Sequence, residues 1–262
     1  MNIPVQRRSG LPSIAARLLV WVWIFAPCGM AQGLQSDSFI AAIETIEHSV
    51  GAVDCLAVSA AEAKLLKRIG SAFVVSDSGD FVTAAHVLLA MQNRGDPCPT
   101  SAITFAVGDW RPEAPAEDML WFPFEIGECR RESVLDIALC RTSVDLRAPI
   151  RKSNKVAAVQ FEWNSQPNGS RLAFTGFPLE ARDPMTFQAH VAAYRTIWPD
   201  KATPELVLDH NSLPGFSGSP VYTADGKVVA ILVKDGKPEA PGAAIARPVS
   251  AVREMLTLRR LK

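Results

Sequence analysis

Short apolar runs rich in Val, Ile and Phe, each closed by turn-forming residues, fill most of the chain after residue 50. The first set is VDCLAV (53–58), SAFVV (71–75), FVTAA (81–85), AITFAV (102–107), WFPFEI (121–126) and DIALC (136–140). The second is KVAAVQF (155–161), RLAFTGFP (171–178), MTFQAHVAAYRTIW (185–198), ELVLD (205–209), SPVYT (219–223), KVVAILV (227–233) and GAAIARPV (242–249). Gly, Asp, Asn, Ser and Pro separate them, as in SDSGD (76–80) and NRGDP (93–97). Asp225-Gly226 supplies a hairpin turn. Regularly spaced short strands with turn signals predict an all-β sandwich or barrel.

A polar stretch at about 141–155 divides the runs into two β units, expected over 50–145 and 146–262. A helix frames each end. Phe39, Ile43 and Ile46 recur at helical spacing in segment 32–49, and Val252, Met255 and Leu256 share one face of SAVREMLTLRRL. The run SAAEAKLLKR (59–68) fits a helical turn or a hairpin excursion.

The N-terminus differs from the rest. Arg7, Arg8 and Arg17 precede LLVWVWIFAP (18–27), ten residues that are too few to span a bilayer. Gly29 and Ala31, around Met30, complete the pattern of a secretory signal over 1–31, cut after Ala31. An uncleaved anchor is the alternative. The whole chain has 27 basic and 27 acidic residues, and 1–31 hold three Arg and no acid, so the mature chain is at net −3. That balance gives no electrostatic footprint for nucleic acid or an anionic membrane. Beyond Cys28 the cysteines are Cys55, Cys98, Cys129 and Cys140. In an exported chain they make up to two disulfides, with three connectivities open. No CxxC or HExxH occurs, and no metal or cofactor is expected.

The stretch GFSGSPV (215–221) sets Ser217 between glycines. A Ser hydroxyl becomes a nucleophile only beside a base, usually His, that a carboxylate orients. All four histidines, His48, His86, His190 and His210, precede Ser217, which excludes the order Ser, acid, His. His86 is the candidate base because it lies where a strand ends in FVTAAHVL, a rigid mount. Asp136 is the candidate acid. It opens the apolar DIALC, where a carboxylate is expensive unless satisfied.

Taken together, GSAFVV (70–75), TAAHV (83–87), DIAL (136–139), TGFP (175–178), GFSGSPV and GAAIARPVSAVREML resemble the trypsin/chymotrypsin-like serine peptidases over about residues 50–258. The GxSGSP form is closer to bacterial glutamyl-endopeptidase and heat-shock types. The resemblance implies two six-stranded antiparallel β-barrels, with His86 and Asp136 on the first and Ser217 on the second. It implies an oxyanion hole from the N–H groups of Gly215 and Ser217, and protein or peptide substrates. The substrate-binding pocket falls on Asn211, Ser212, Val233, Lys234, Asp235 and Gly242. The oligomerising module of heat-shock-type relatives is not expected after the C-terminal helix. Three departures stand out. Phe216 replaces the Asp that pairs with a new N-terminus in relatives activated by proteolysis, so no such activation is expected. Leu232 stands where glutamyl-specific relatives have His. Val233 replaces a Ser that often supports the triad Asp. The resulting expectation is an exported serine endopeptidase, periplasmic or secreted. A catalytically weak binding protein and an acyl hydrolase are the alternatives.

Overall fold

The computed structural model describes residues 38–59, 62–92, 97–107, 120–143, 156–178, 181–196, 204–235 and 242–258. The signal-like segment 1–31 and most of the stretch read as a linker lie outside these residues.

The first six strands are β1 (Val50–Val58), β2 (Ala63–Val74), β3 (Asp80–Ala84), β4 (Thr100–Val107), β5 (Leu120–Glu132) and β6 (Ile137–Thr142). They close antiparallel in the order β1-β2-β3-β6-β5-β4. The run 59–68, left open between helix and hairpin, belongs largely to the long strand β2. The charged CRRES segment (129–133) is mostly the end of β5, opposite β6. Both disulfides fall in this barrel. Cys55–Cys98 ties β1 to the approach of β4, and Cys129–Cys140 links directly paired residues of β5 and β6.

The second barrel uses β8 (Arg171–Gly176), β9 (Met185–Thr196), β10 (Pro204–Leu208), β11 (Pro220–Tyr222), β12 (Lys227–Asp235) and β13 (Ala244–Pro248). Its order is β11-β8-β9-β10-β13-β12, closed by β11 pairing with β12. The expected strand KVAAVQF shrinks to β7 (Gln160–Phe161), which pairs parallel with β12 at its edge. Two closed six-stranded barrels are therefore the architecture, and closure leaves neither barrel a free edge.

Alternation explains the cores. Along β8, Leu172 and Phe174 join a cluster with Phe216 and Val221, while Ala173 joins the core that continues into the first barrel. Helix α1 (Ser38–Glu47) buries Phe39, Ala42 and Ile46, close to the face expected from its spacing. At the C-terminus, a 3₁₀ turn (Val249–Val252) and helix α3 (Arg253–Leu258) bury Val252, Met255 and Leu256. Among the described residues, no helix is long and apolar enough to cross a membrane.

Candidate active site

Strand β3 ends at Ala84 and passes directly into a short helix, α2 (Ala85–Met91), whose second residue is His86. Small residues permit the change of direction: Ala84 and Ala85 are both buried. Val87 and Leu88 then pin α2 to the barrel, leaving the His86 side chain 45% exposed.

Asp136 is the last residue of the turn between β5 and β6, one position before the strand that the sequence suggested it opens. Its φ is +59°, the left-handed region, which costs a non-glycine residue about 1 kcal/mol. Several contacts hold it there. The Asp136 carbonyl accepts the Ala85 N–H at 2.9 Å. One carboxylate oxygen accepts the His86 backbone N–H at 2.9 Å, and the other meets His86 Nδ1 at 2.7 Å. This two-pronged grip satisfies the carboxylate and sets the imidazole, with Nδ1 as donor and Nε2 left as the basic nitrogen.

Two successive tight turns build the Ser217 loop, with Ser217 at the second position of the second turn. Phe216 N–H donates to the Leu213 carbonyl at 3.0 Å, across Pro214 and Gly215. Ser219 N–H donates to the Phe216 carbonyl at 2.9 Å, across Ser217 and Gly218. Gly215 and Gly218 occupy the third positions with φ of 101° and 93°, as type II turns require. Gly218 N–H donates to the Leu232 carbonyl at 2.7 Å. The alternate N–H groups, of Gly215 and Ser217, have no acceptor among the described residues. These are the two N–H groups expected, from the family resemblance, to serve as oxyanion donors. Gly218 is also a close approach, since a Cβ there would lie 2.0 Å from the Ser71 carbonyl oxygen.

Barrel one holds this loop from below. Ser71 N–H donates to the Ser217 carbonyl at 2.8 Å. Ser71 Oγ donates to the Gly215 carbonyl at 2.8 Å and accepts the Phe177 N–H at 2.8 Å. Barrel two holds it from above. Phe216 is fully buried, edge-on to Phe174 at 5.3 Å and tilted on Phe187 at 5.3 Å. A methyl group at Gly70 would touch both the Ser217 carbonyl and Val87, the neighbour of His86. Gly70 thus packs against both the backbone of Ser217 and helix α2. Ser217 Oγ itself rests on the Val233 carbonyl at 3.4 Å. Val233 lies at a register shift in the β12–β13 pairing, where its carbonyl is available.

Of the remaining expected pocket residues, Gly242 and Asn211 are neighbours. A Cβ at Gly242 would lie 4.0 Å from Asn211 Oδ1. Ser212 is buried and Asn211 exposed. Lys234 and Asp235 pair through the backbone with Ile245 and Ala244. Two of the other histidines have partners in the second barrel, and His210 packs on the rings that hold Phe216. His190 pairs with Asp209 (Nδ1···Oδ2 3.1 Å), and His210 stacks on Phe187 at 4.8 Å. Sequence reasoning overlooked Ser71 and the anchoring role of Phe216. The signal for Ser71 was a small polar residue inside an apolar strand run.

A family model for the trypsin-like peptidase domain matches residues 70–231, a span running from the floor of the Ser217 loop to strand β12. The chain belongs to the trypsin-like peptidase family. Solved structures of trypsin-like proteases share its fold at low identity. The HtrA-type protease AlgW, solved with a decapeptide, is 14% identical with a TM-score of 0.61. That match covers 83% of this chain and 66% of AlgW, so the chain spans just under two thirds of that relative. The active form of the Rv3671c protease of M. tuberculosis is 15% identical with a TM-score of 0.57, covering 98% of this chain and 92% of that one. An inactive Ser-to-Ala form of Rv3671c gives 15% identity and a TM-score of 0.55, covering 88% and 94%. A search of curated protein sequences gives no match. Family and fold agree on a trypsin-like peptidase domain built of two barrels.

Proposed function

We propose that the chain is an exported serine endopeptidase that works through an acyl-enzyme. The observation that carries this reading is the bidentate grip of Asp136 on His86, on a scaffold that presents Ser217 at the tip of a double turn. Ser217 Oγ attacks the scissile carbonyl while His86 Nε2 takes its proton. The N–H groups of Gly215 and Ser217 receive the oxyanion, each such donor contributing about 3 kcal/mol. His86 then protonates the leaving amine, and the acyl chain stays on Ser217. Water, deprotonated by His86, attacks the ester and releases the carboxylic acid and Ser217. Asp136 keeps its negative charge throughout and stabilises the imidazolium.

A peptide substrate fits the family and the decapeptide held by AlgW. Export fits the two disulfides and the signal-like 1–31. The site for the side chain before the scissile bond would be lined by Asn211, Ser212, Val233 and Gly242, as the family resemblance implies. It offers no carboxylate at Asn211 or Ser212 for an Arg or Lys.

The test is cleavage profiling of a peptide library with purified mature protein and its Ser217→Ala variant. Cleavage by the former alone is the expected result. Equal cleavage by both, or by neither, refutes the reading. The resting place of Ser217 Oγ on Val233 favours one second reading, a peptidase-like binding protein with weak turnover. Binding of library peptides without any cleavage would select it.

A further inference from the structure

Arg247 lies in β13 of the second barrel, yet its guanidinium reaches the turn that carries Asp136. Its Nε donates to the Leu135 carbonyl at 3.0 Å, across 112 residues of chain. The peptide unit that receives this bond is the one joining Leu135 to Asp136. Nη1 donates to the Pro204 carbonyl at 3.4 Å and forms an ion pair with Glu205 Oε1 at 2.9 Å. Arg247 and Glu205 are nearly sealed from water, at 7% and 6% side-chain exposure.

We propose that Arg247 is a positioning residue for the candidate catalytic acid, clamping the left-handed turn at Asp136 from the opposite barrel. The clamp rests on the peptidase reading above. Asp136 has to remain at φ +59° for both carboxylate oxygens to reach His86. A strained residue persists only where its surroundings over-determine it. From the first barrel, the Ala85 N–H holds the Asp136 carbonyl on one side of the residue. Arg247 holds the Leu135 carbonyl on the other. Together they fix both peptide planes that flank Asp136.

Side-chain chemistry suits the task. Guanidinium is planar and permanently charged, and its donors point in fixed directions. It can therefore bond Leu135 and Glu205 at once with little freedom. Glu205 anchors the guanidinium to the second barrel, so the bond to Leu135 transmits the position of that barrel to the acid. Val233 stands where family members often place a Ser that supports the acid directly. Here an Arg bond to the backbone beside the acid gives support from the same barrel.

The test separates positioning from a merely structural ion pair. Arg247→Lys keeps the charge for Glu205 but loses the forked donor. It should keep KM within about twofold while kcat and the rate of fluorophosphonate labelling fall roughly 10- to 100-fold, as expected for a displaced catalytic group. A second variant combines Arg247→Met with Glu205→Met. Removing both halves of a buried pair is often neutral for stability, so its Tm should stay near the parent while labelling remains slow. A third readout needs no turnover. In the Ser217→Ala background, the downfield proton resonance of His86 Nδ1–H should broaden or vanish when Arg247→Lys is added. Parent-like labelling by the double variant, or an unchanged His86 resonance, overturns the clamp. If the parent protein itself fails to label, the peptidase reading fails, and the resonance still decides the clamp.

Discussion

Phe216 replaces a charged anchor with an apolar one, and truncating it tests whether the Ser217 loop is held by packing. The ring is fully buried and meets Phe174 edge-on and Phe187 at a tilt, both at 5.3 Å. Its partners lie on rigid strands, so the cavity left by Phe216→Ala cannot collapse fully. Removing a buried Phe under such conditions costs about 3–5 kcal/mol. For a domain of this size each kcal/mol lowers Tm by about 2–4 °C, so a fall of about 6–20 °C is expected. The cost does not stop at stability. Phe216 N–H and carbonyl close the two turns around Ser217, and a ring that no longer holds the backbone lets both turns shift. Labelling by a fluorophosphonate probe, measured well below the lowered Tm, should slow by roughly 10²-fold. Calorimetry gives the first quantity and gel-based probe kinetics the second. A Tm shift below about 2 °C, or an unchanged labelling rate, would show that packing at Phe216 does not hold the loop.

Three further outcomes are expected. Asp136→Asn should reduce kcat by roughly 10⁴, the scale of this substitution in a triad where the amide favours the wrong tautomer; steady-state kinetics on the best library peptide measures it, and a loss under tenfold would contradict the role of the carboxylate. Glu47, at the end of α1, is pushed up to about 7, chiefly by burial and then by the charge of Glu44, against a lowering hydrogen bond to Thr186. Its folded value lies above its ordinary 4.5, so its contribution to stability is full below about pH 4.5 and lost as pH rises through about 7. Glu47→Gln should therefore flatten the Tm profile over that window, and an unaltered slope would refute this. Reduction of the two disulfides, which close loops of 43 and 11 residues, should remove constraints of about 4 and 3 kcal/mol, seen as a large Tm drop in dithiothreitol.

Much of the architecture was legible because strand signals are local. Runs such as SAFVV and KVVAILV, short, β-branched and closed by Gly or Asp, read as strands that are buried on both faces, a signal carried by near neighbours alone. His86, Asp136 and Ser217 stood out through residue type, order and the glycines around Ser217. What stayed hidden was long-range. Ser71 bonds Gly215 across 144 residues, and Arg247 bonds Leu135 across 112. A small polar residue in an apolar run marks Ser71 only as unusual, and no local pattern marks the partner of either residue. Phe216 read only as a missing Asp, since its partners Phe174 and Phe187 come from separate strands. KVAAVQF misled because its apolar residues pack against the core without strand pairing over most of their length.

The central claim is that Ser217 is a nucleophile activated by His86 and Asp136. Intact mass and peptide mapping after reaction of the mature protein with a fluorophosphonate test it most directly. One adduct per chain is expected, on Ser217, formed slowly in Asp136→Asn and absent in Ser217→Ala. An adduct on another residue, or equal labelling of Ser217→Ala, would contradict it.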